Sequence, residues 1–192
     1  MPRNKLVEFP GLEASPAYAD TYVVGEPLSI SKVLRYAGVD PTTGVYQFDD
    51  VNGDLNLTVA DRQTIRFTGP DFYGGCQNSF SFGGFNIDVF FQFVEQSGYN
   101  YIYLGATPGT MANQPRYILS RWQKEGDETD TQLFSQASAA SVAFFNLKFS
   151  DRAVSHASFI RLKNASVSYT FPERWAGRLS ISNARIFIQG QN

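Results

Sequence analysis

The segment DFYGGCQNSFSFGGFNIDVFFQFV (71–94) decides the fold of this chain. In its second half the odd-numbered residues are apolar, whereas Asn86, Asp88 and Gln92 are polar and Phe90 departs from the pattern. Such alternation is typical of a β-strand with one apolar and one polar face. The first half places Phe72, Cys76, Phe80 and Phe82 on one face in the same way. Because the dipeptide 83–84 is Gly-Gly, the segment predicts a β-hairpin.

Further strands are predicted at 28–36, 158–171 and 179–189, the last two joined by a turn at 172–177. The strand at 158–171 contains a change of parity. Ile160 and Leu162 lie on the opposite parity to the apolar residues after position 164. A β-bulge near Lys163 and Asn164 is expected, since one extra residue restores the face of an alternating strand.

Short turns at 83–84 and 172–177 alternate with long loops at 49–70 and 97–156. Outer-membrane barrels have this asymmetry, with short periplasmic turns at one rim and long extracellular loops at the other. We therefore expect an all-β fold with an antiparallel, up-and-down sheet. A soluble β-sandwich is the alternative, and from the alternation alone it ranks ahead, because soluble β domains are far commoner.

The composition supports β structure and gives no sign of nucleic-acid binding. Aromatic residues make up 15% of the 192 residues and charged residues 18%, and the formal net charge is −2. Aromatic side chains suit a pleated surface, whereas a nucleic-acid-binding domain needs a basic face. Cys76 is the single cysteine, so no internal disulfide is possible.

The acidic stretch DVNGDLNLTVAD (50–61) has the spacing of a calcium loop. Calcium prefers oxygen ligands, which this spacing supplies at loop positions one, three, five, seven and twelve. The predicted ligands are Asp50, Asn52, Asp54, Asn56 through its carbonyl, and Asp61. Leu55 stands at position six, where glycine normally permits a left-handed backbone, which predicts a weakened or distorted site. The alternative is a turn in which these side chains cap their own backbone.

The long segment 97–156 is rich in aromatic residues. Tyr99, Tyr101 and Trp122 are candidates to stack on a ligand or to contact a partner protein, while the alternative is an internal small core. We find no catalytic constellation. His156 has no second histidine, and neighbouring carboxylates such as Asp127 and Glu128 do not lie across a substrate. The sequence therefore does not indicate an enzyme.

Several runs together resemble the C-terminal part of the barrel of SusC/RagA-like TonB-dependent transporters from Bacteroidetes outer membranes. Their order and spacing carry the resemblance from about residue 26 onward. The runs are YAGVDPTTGVYQFDDVNGD (36–54), VADR (59–62), FTGPDFYGGCQNSFSFGGFNIDVFFQF (67–93), the dipeptide at 121–122, SFIRLKNASVSYTFP (158–172) and IFIQGQN (186–192).

The resemblance implies a segment of a transmembrane barrel of about 22 strands in the cell outer membrane. It also implies import of oligosaccharides or peptides beneath a SusD-like surface lipoprotein, with energy from the TonB complex. Residues 1–26 would be an irregular lead-in and residues 27–192 barrel. Barrel walls are apolar toward lipid and polar toward the lumen. The expected lumen-facing residues are Asn86, Asp88, Gln92 and Arg185.

Compared with the family pattern, the chain has no plug and no TonB-contacting segment, and it ends where further strands are expected. We therefore expect an incomplete barrel. The alternative function is a secreted, calcium-binding β-sandwich or dockerin-like module. Dockerin-like modules carry the calcium loop as a duplicate, and this sequence holds one such loop.

Overall fold

The structure is a computed structural model that describes residues 4–15, 17–176 and 184–192. The chain divides into two compact units. Residues 70–96 and 158–192 form the first, here called the sheet unit, and residues 2–69 and 97–157 form the second, here called the loop unit. Within the described ranges, no helix is both long enough and apolar enough to cross a membrane.

The strands lie in the following order along the chain: β1 (Ile30–Val33), β2 (Tyr36–Val39), β3 (Tyr46–Phe48), β4 (Thr64–Phe67), β5 (Pro70–Phe82), β6 (Phe85–Tyr99), β7 (Val154–His156), β8 (Phe159–Thr170) and β9 (Arg185–Gln191). The α-helices are α1 (Tyr101–Leu104), α2 (Ser138–Lys148) and α3 (Glu173–Ala176). Short 3-10 helices span Leu12–Ala14, Val59–Asp61, Arg116–Ser120 and Asp151–Ala153.

The sheet unit is an antiparallel sheet in the order β5-β6-β8-β9. The predicted hairpin between β5 and β6 is confirmed. Gly83 and Gly84 have φ angles of 56° and 88°. A two-residue turn with two positive φ angles matches the right-handed twist of the flanking strands, and glycine adopts those angles without steric cost.

The bulge predicted near Lys163 and Asn164 is also confirmed. Asn164 lies opposite Phe90, whereas Leu162 lies opposite Phe91, so β8 carries one extra residue at this point. The bulge brings Leu162 onto the face of the apolar residues that follow it. It also places Arg161 opposite Gln92, on the polar face.

Phe90, which breaks the alternation of β6, covers a glycine on the neighbouring strand. A Cβ placed on Gly75 would lie 2.6 Å from Cε2 of Phe90. The ring therefore occupies the space that a side chain at position 75 would fill. On the opposite face Phe93 covers Gly74 in the same way, at 2.5 Å. These aromatic rings compensate for the missing side chains of the two glycines.

The loop unit contains two small antiparallel ladders, β1 with β4 and β2 with β3. The expectation of one strand over residues 28–36 was wrong. The chain changes partners at Leu34, whose N–H donates to Phe149 O and which pairs in parallel with Ser150. Two short strands therefore replace one continuous strand.

The core of the loop unit includes Tyr46, Ile102, Ala143, Phe144, Leu147 and Ala153. Helix α2 supplies three of these side chains and was not predicted from the sequence. Its buried positions 140, 143, 144 and 147 follow the i, i+3, i+4, i+7 spacing of a helix face. Apart from Tyr46 on β3, these core residues lie in the segment 97–156, for which an internal small core was one of the two expectations.

Candidate functional site

The polar face of the sheet unit contains the residues expected to face a lumen. Asp88 lies opposite Ser79 on β5 and Ser166 on β8. Both hydroxyls donate to its carboxylate, Ser79 Oγ to Oδ1 at 2.5 Å and Ser166 Oγ to Oδ2 at 3.3 Å. Asn86 Oδ1 accepts a bond from Ser81 Oγ at 2.7 Å. The register therefore links three strands through hydroxyl and carboxylate groups.

Arg185 and Gln189 border the same concave surface, which has a cavity volume of about 560 Å³. Gln92 lies on this face too, opposite Gly75. The structure thus brings Asn86, Asp88, Gln92 and Arg185 to one face, as their parity predicts. Whether that face lines a lumen stays a prediction.

The opposite face of the sheet unit is apolar and exposed. Strand β6 presents four large side chains there, and the neighbouring strands add more in register. These exposed side chains are Phe80, Phe82, Phe85, Ile87, Phe91, Phe93, Ile160, Leu162, Val167, Ile186 and Ile188. Within the described part of the sheet unit, no hydrophobic side chain reaches full burial. A soluble protein rarely exposes so extensive a contiguous apolar surface.

In the acidic loop, Asp61 is 1% exposed and its carboxylate is occupied by hydrogen bonds from the chain. The N–H of Thr58 donates to Oδ2 at 2.8 Å, and the N–H groups of Val51 and Asn52 donate to Oδ1 at 3.0 and 3.5 Å. These bonds, that from Thr58 foremost, hold the pKa of Asp61 below its usual range. Asp61 therefore fastens the two ends of the loop together.

Three of the other predicted calcium ligands accept hydrogen bonds from backbone N–H groups of the loop, and Asn52 and Asp54 do so in Asx turns. Asp50 accepts from the N–H groups of Gly53 at 2.8 Å and Leu55 at 2.7 Å. Asn52 accepts from Asp54 N–H at 3.0 Å, and Asp54 in turn accepts from Asn56 N–H at 2.7 Å. This is the alternative to a calcium site, a turn in which the side chains of the loop cap their own backbone.

Leu55 has a φ angle of 64° and is 93% exposed. The backbone at loop position six is thus left-handed although the residue is not glycine. In the described ranges, no three His, Cys, Asp or Glu side chains lie close enough together to hold a metal ion. Calcium binding by this loop stays a prediction.

All three candidate aromatic residues have partners within the loop unit, Tyr101 through the ring of Tyr117 at 5.2 Å. Tyr99 stacks on Tyr103, with ring centroids 4.4 Å apart. Trp122 lies just beyond the 3-10 helix Arg116–Ser120, and its indole N–H donates to Pro41 O at 3.1 Å. Internal contacts therefore account for Tyr99 and Trp122, while their role toward a ligand stays a prediction.

Tyr101 belongs to a pocket that the sequence did not reveal. The pocket has a volume of about 180 Å³ and lies wholly within the loop unit. Its lining residues are Tyr46, Tyr101, Ile102, Tyr117, Ser120, Asp130, Thr131, Leu147 and Arg152. These residues are far apart in the chain and follow no common motif, so a sequence pattern offers no signal for the pocket.

An antiparallel sheet with one polar face and one exposed apolar face has the strand pattern of outer-membrane transport proteins. The chain is similar to proteins of that class. It is 29% identical over 154 residues to TonB-dependent receptor P3 of Formosa agariphila, a match that covers 80% of this chain and 14% of the relative. TonB-dependent receptor P39 of the same organism is 28% identical over 155 residues, covering 78% of this chain and 14% of the relative. No family model matches the sequence.

The fold is similar to part of solved transporter structures. The RagAB peptide transporter aligns with a TM-score of 0.67 and 25% identity, over 89% of this chain and 19% of that chain. The RagAB peptide importer in its open-open state aligns with a TM-score of 0.63 and 24% identity, over 83% and 18%. The importer in its closed-closed state aligns with a TM-score of 0.62 and 21% identity, over 89% of this chain and 20% of that chain. The resemblance predicted from the sequence runs is therefore confirmed as a partial match.

Proposed function

We propose that this chain forms part of the barrel wall of a TonB-dependent importer in the cell outer membrane. The observation that carries the proposal is the sheet unit, which is polar on one face and apolar and exposed on the other. In a barrel wall, lipid covers the apolar face and the polar face lines the interior. The similarity to TonB-dependent receptors supports the same assignment.

In this proposal residues 27–192 are barrel and its loops, after a lead-in at 1–26. The barrel itself has about 22 strands, of which this chain supplies a part. The chain spans only 14% of the length of the curated relatives that it matches. The remaining strands, the plug and the contact with the TonB complex would lie in sequence beyond these 192 residues.

The substrate of the proposed importer is an oligosaccharide or a peptide, received beneath a SusD-like surface lipoprotein. The similar structures are those of a peptide importer, RagAB, which supports the peptide class and the two-component arrangement. The role is transport and not catalysis, because the matched proteins are receptors and importers. The exposed apolar face also weighs against a secreted β-sandwich, in which a second sheet would bury such a face.

A membrane-insertion assay tests the proposal. The 192-residue chain, refolded in detergent and mixed with phosphatidylcholine vesicles, is expected to float with the vesicles in a density gradient and to resist extraction at alkaline pH. A chain that is monomeric, soluble and cooperatively folded without detergent or lipid would contradict the proposal, since its apolar face would then be stable in water.

A further inference from the structure

The pocket in the loop unit combines an apolar floor with aromatic walls. Ile102 and Leu147 are 6% and 3% exposed and form part of the floor with the ring of Tyr46. The rings of Tyr101 and Tyr117 lie 5.2 Å apart, at an interplanar angle of 48°. Flat aromatic surfaces of this kind pack against the non-polar faces of a ligand ring.

A charge pair lies at the edge of the pocket. Arg152 Nη2 lies 3.0 Å from Asp130 Oδ2, and both side chains are partly exposed. The Arg152 guanidinium also lies over the ring of Tyr36, with Cζ 5.5 Å from the centroid. A guanidinium only donates hydrogen bonds and a carboxylate only accepts them, so the edge offers both functions side by side without net charge.

Two phenols of the pocket, those of Tyr46 and Tyr117, stay protonated in neutral solution. Burial is the largest cause that raises the pKa of Tyr46, and it also raises the pKa of Tyr117. A protonated phenol both donates and accepts a hydrogen bond, as does the hydroxyl of Ser120 in the lining. The polar groups of the pocket are therefore uncharged hydroxyls and one internally neutralised ion pair.

The volume sets the size of the occupant. About 180 Å³ corresponds to roughly six water molecules at about 30 Å³ each. The space accommodates one ring of a larger ligand and not a whole oligomer. A ligand with net charge gains nothing from the neutral ion pair, whereas a ring with several hydroxyls can satisfy the donors and acceptors together.

From this combination we propose that the pocket binds one neutral sugar residue of an oligosaccharide. The sugar ring packs against Tyr101 and Tyr117, and its hydroxyls bond to Asp130 and Arg152. The assignment deepens the proposed importer role by choosing the oligosaccharide from its two substrate classes, although the similar structures are those of a peptide importer. It rests on that role for its biological use. The binding itself can be measured independently.

The test uses saturation-transfer NMR on the 192-residue chain in detergent micelles. The probes are maltohexaose, cellohexaose and xylohexaose at millimolar concentration, with hexaalanine as the peptide probe. At least one hexasaccharide is expected to receive saturation at its ring protons, while hexaalanine does not. If no hexasaccharide gives a signal, the proposal is overturned. If only hexaalanine binds, the pocket belongs to peptides and the sugar assignment is wrong.

Variants locate the binding in the pocket. Tyr101→Ala is expected to weaken binding about tenfold, the effect of losing roughly 1.4 kcal/mol. Asp130→Asn keeps the shape of the side chain but removes its charge, and is expected to weaken binding by a similar factor. The matched control is Tyr103→Ala, a change of the same residue type on helix α1 outside the pocket lining. Equal losses in Tyr101→Ala and Tyr103→Ala would overturn the proposal.

The outcome stays separate from that of the membrane assay. A chain that floats with vesicles but binds no hexasaccharide retains the proposed function and loses the sugar site. A chain that binds a hexasaccharide with the expected variant pattern but does not enter membranes retains the site and loses the barrel assignment.

Discussion

Phe91 on β6 lies directly opposite Leu162 on β8, one pair beyond the bulge at which Lys163 has no opposite residue on β6. This pairing keeps the apolar face continuous along both strands. Without the extra residue or an equivalent shift, Ile160 and Leu162 would lie among the polar side chains. The bulge therefore determines which face the first part of β8 presents.

Deleting Lys163 is expected to preserve the sheet. The deletion makes the ladder regular and leaves Leu162 opposite Phe91, so every apolar side chain keeps its face. Deleting Ser166 is the contrasting change. It leaves the bulge in place and shifts residues 159–165 by one position, which turns their apolar side chains to the polar face. The measurement is the fraction of chain that migrates as a heat-modifiable folded species in detergent. If both deletions reduce the folded fraction to a similar extent, the bulge does not have the role assigned to it.

The bulge and the hairpin could be predicted from the sequence because both are local. Alternation and the Gly83-Gly84 turn depend on residues that are neighbours in the chain. The bulge required only the parity of Ile160 relative to Val167. In helix α2 the helical spacing of the buried residues was present, but short apolar runs rich in alanine give a weak signal.

The pocket could not be predicted from the sequence. Its walls come from β3, helix α1, the 3-10 helix at Arg116–Ser120 and the segment near Asp130, which are brought together only by the tertiary fold. The acidic loop shows the converse case. Its ligand spacing was evident, yet the structure uses the same oxygens to accept backbone hydrogen bonds, as at Asp61.

Replacing Gly44 with alanine is expected to displace Trp122. A Cβ at position 44 would lie 2.4 Å from indole Cδ2, too close for the ring to remain in place. The overpacking predicts a loss of roughly 1–3 kcal/mol in unfolding free energy and a red-shifted Trp122 emission. Fluorescence in a Trp175→Phe background, where Trp122 is the sole tryptophan, measures both.

The control for this change is Gly53→Ala. Gly53 has a φ angle of 73°, close to the 70° of Gly44, but a Cβ there meets nothing within 4 Å. It therefore carries the same backbone strain without the steric conflict. An unchanged Trp122 emission in Gly44→Ala, or an equal shift in both variants, would show that the contact is absent.

Acidification is expected to break the hydrogen bonds that the Asp61 carboxylate accepts from the N–H groups of Val51 and Thr58. Its pKa is lower in the folded chain than in the unfolded chain, so its contribution to stability is present above its ordinary value of about 3.9 and is lost as the pH falls through the folded value. Amide exchange of Val51 and Thr58, whose N–H groups it binds, should be slow at neutral pH and lose protection below about pH 4.

Asp61→Asn should remove much of this protection at neutral pH, because an amide replaces one accepting oxygen with a donor. Asp49→Asn serves as the control, since Asp49 pairs with Arg35 at the surface at 3.5 Å. Protection that is independent of pH and equal in the two variants would contradict the role assigned to Asp61.

Calcium binding by the acidic loop predicts heat on calorimetric titration of the folded chain with calcium. Asp54→Ala should abolish that heat, because position five supplies a carboxylate ligand in this spacing. Asp49→Ala, one residue before the first predicted ligand, should leave it unchanged. If the folded chain gives no heat with calcium, the loop is held by its Asx turns alone and the calcium prediction is wrong.

An arginine on the apolar face is expected to prevent membrane insertion, whereas an arginine on the polar face is not. Val167 lies on the apolar face opposite Ile87 and Ile188, and its neighbour Ser166 lies on the polar face opposite Asp88. Near the middle of a bilayer, an arginine exposed to lipid costs about 2–4 kcal/mol. Val167→Arg should therefore reduce vesicle flotation and Ser166→Arg should retain it, since Asp88 offers the new guanidinium a carboxylate. Equal flotation of the two variants would contradict the assignment of the apolar face to lipid.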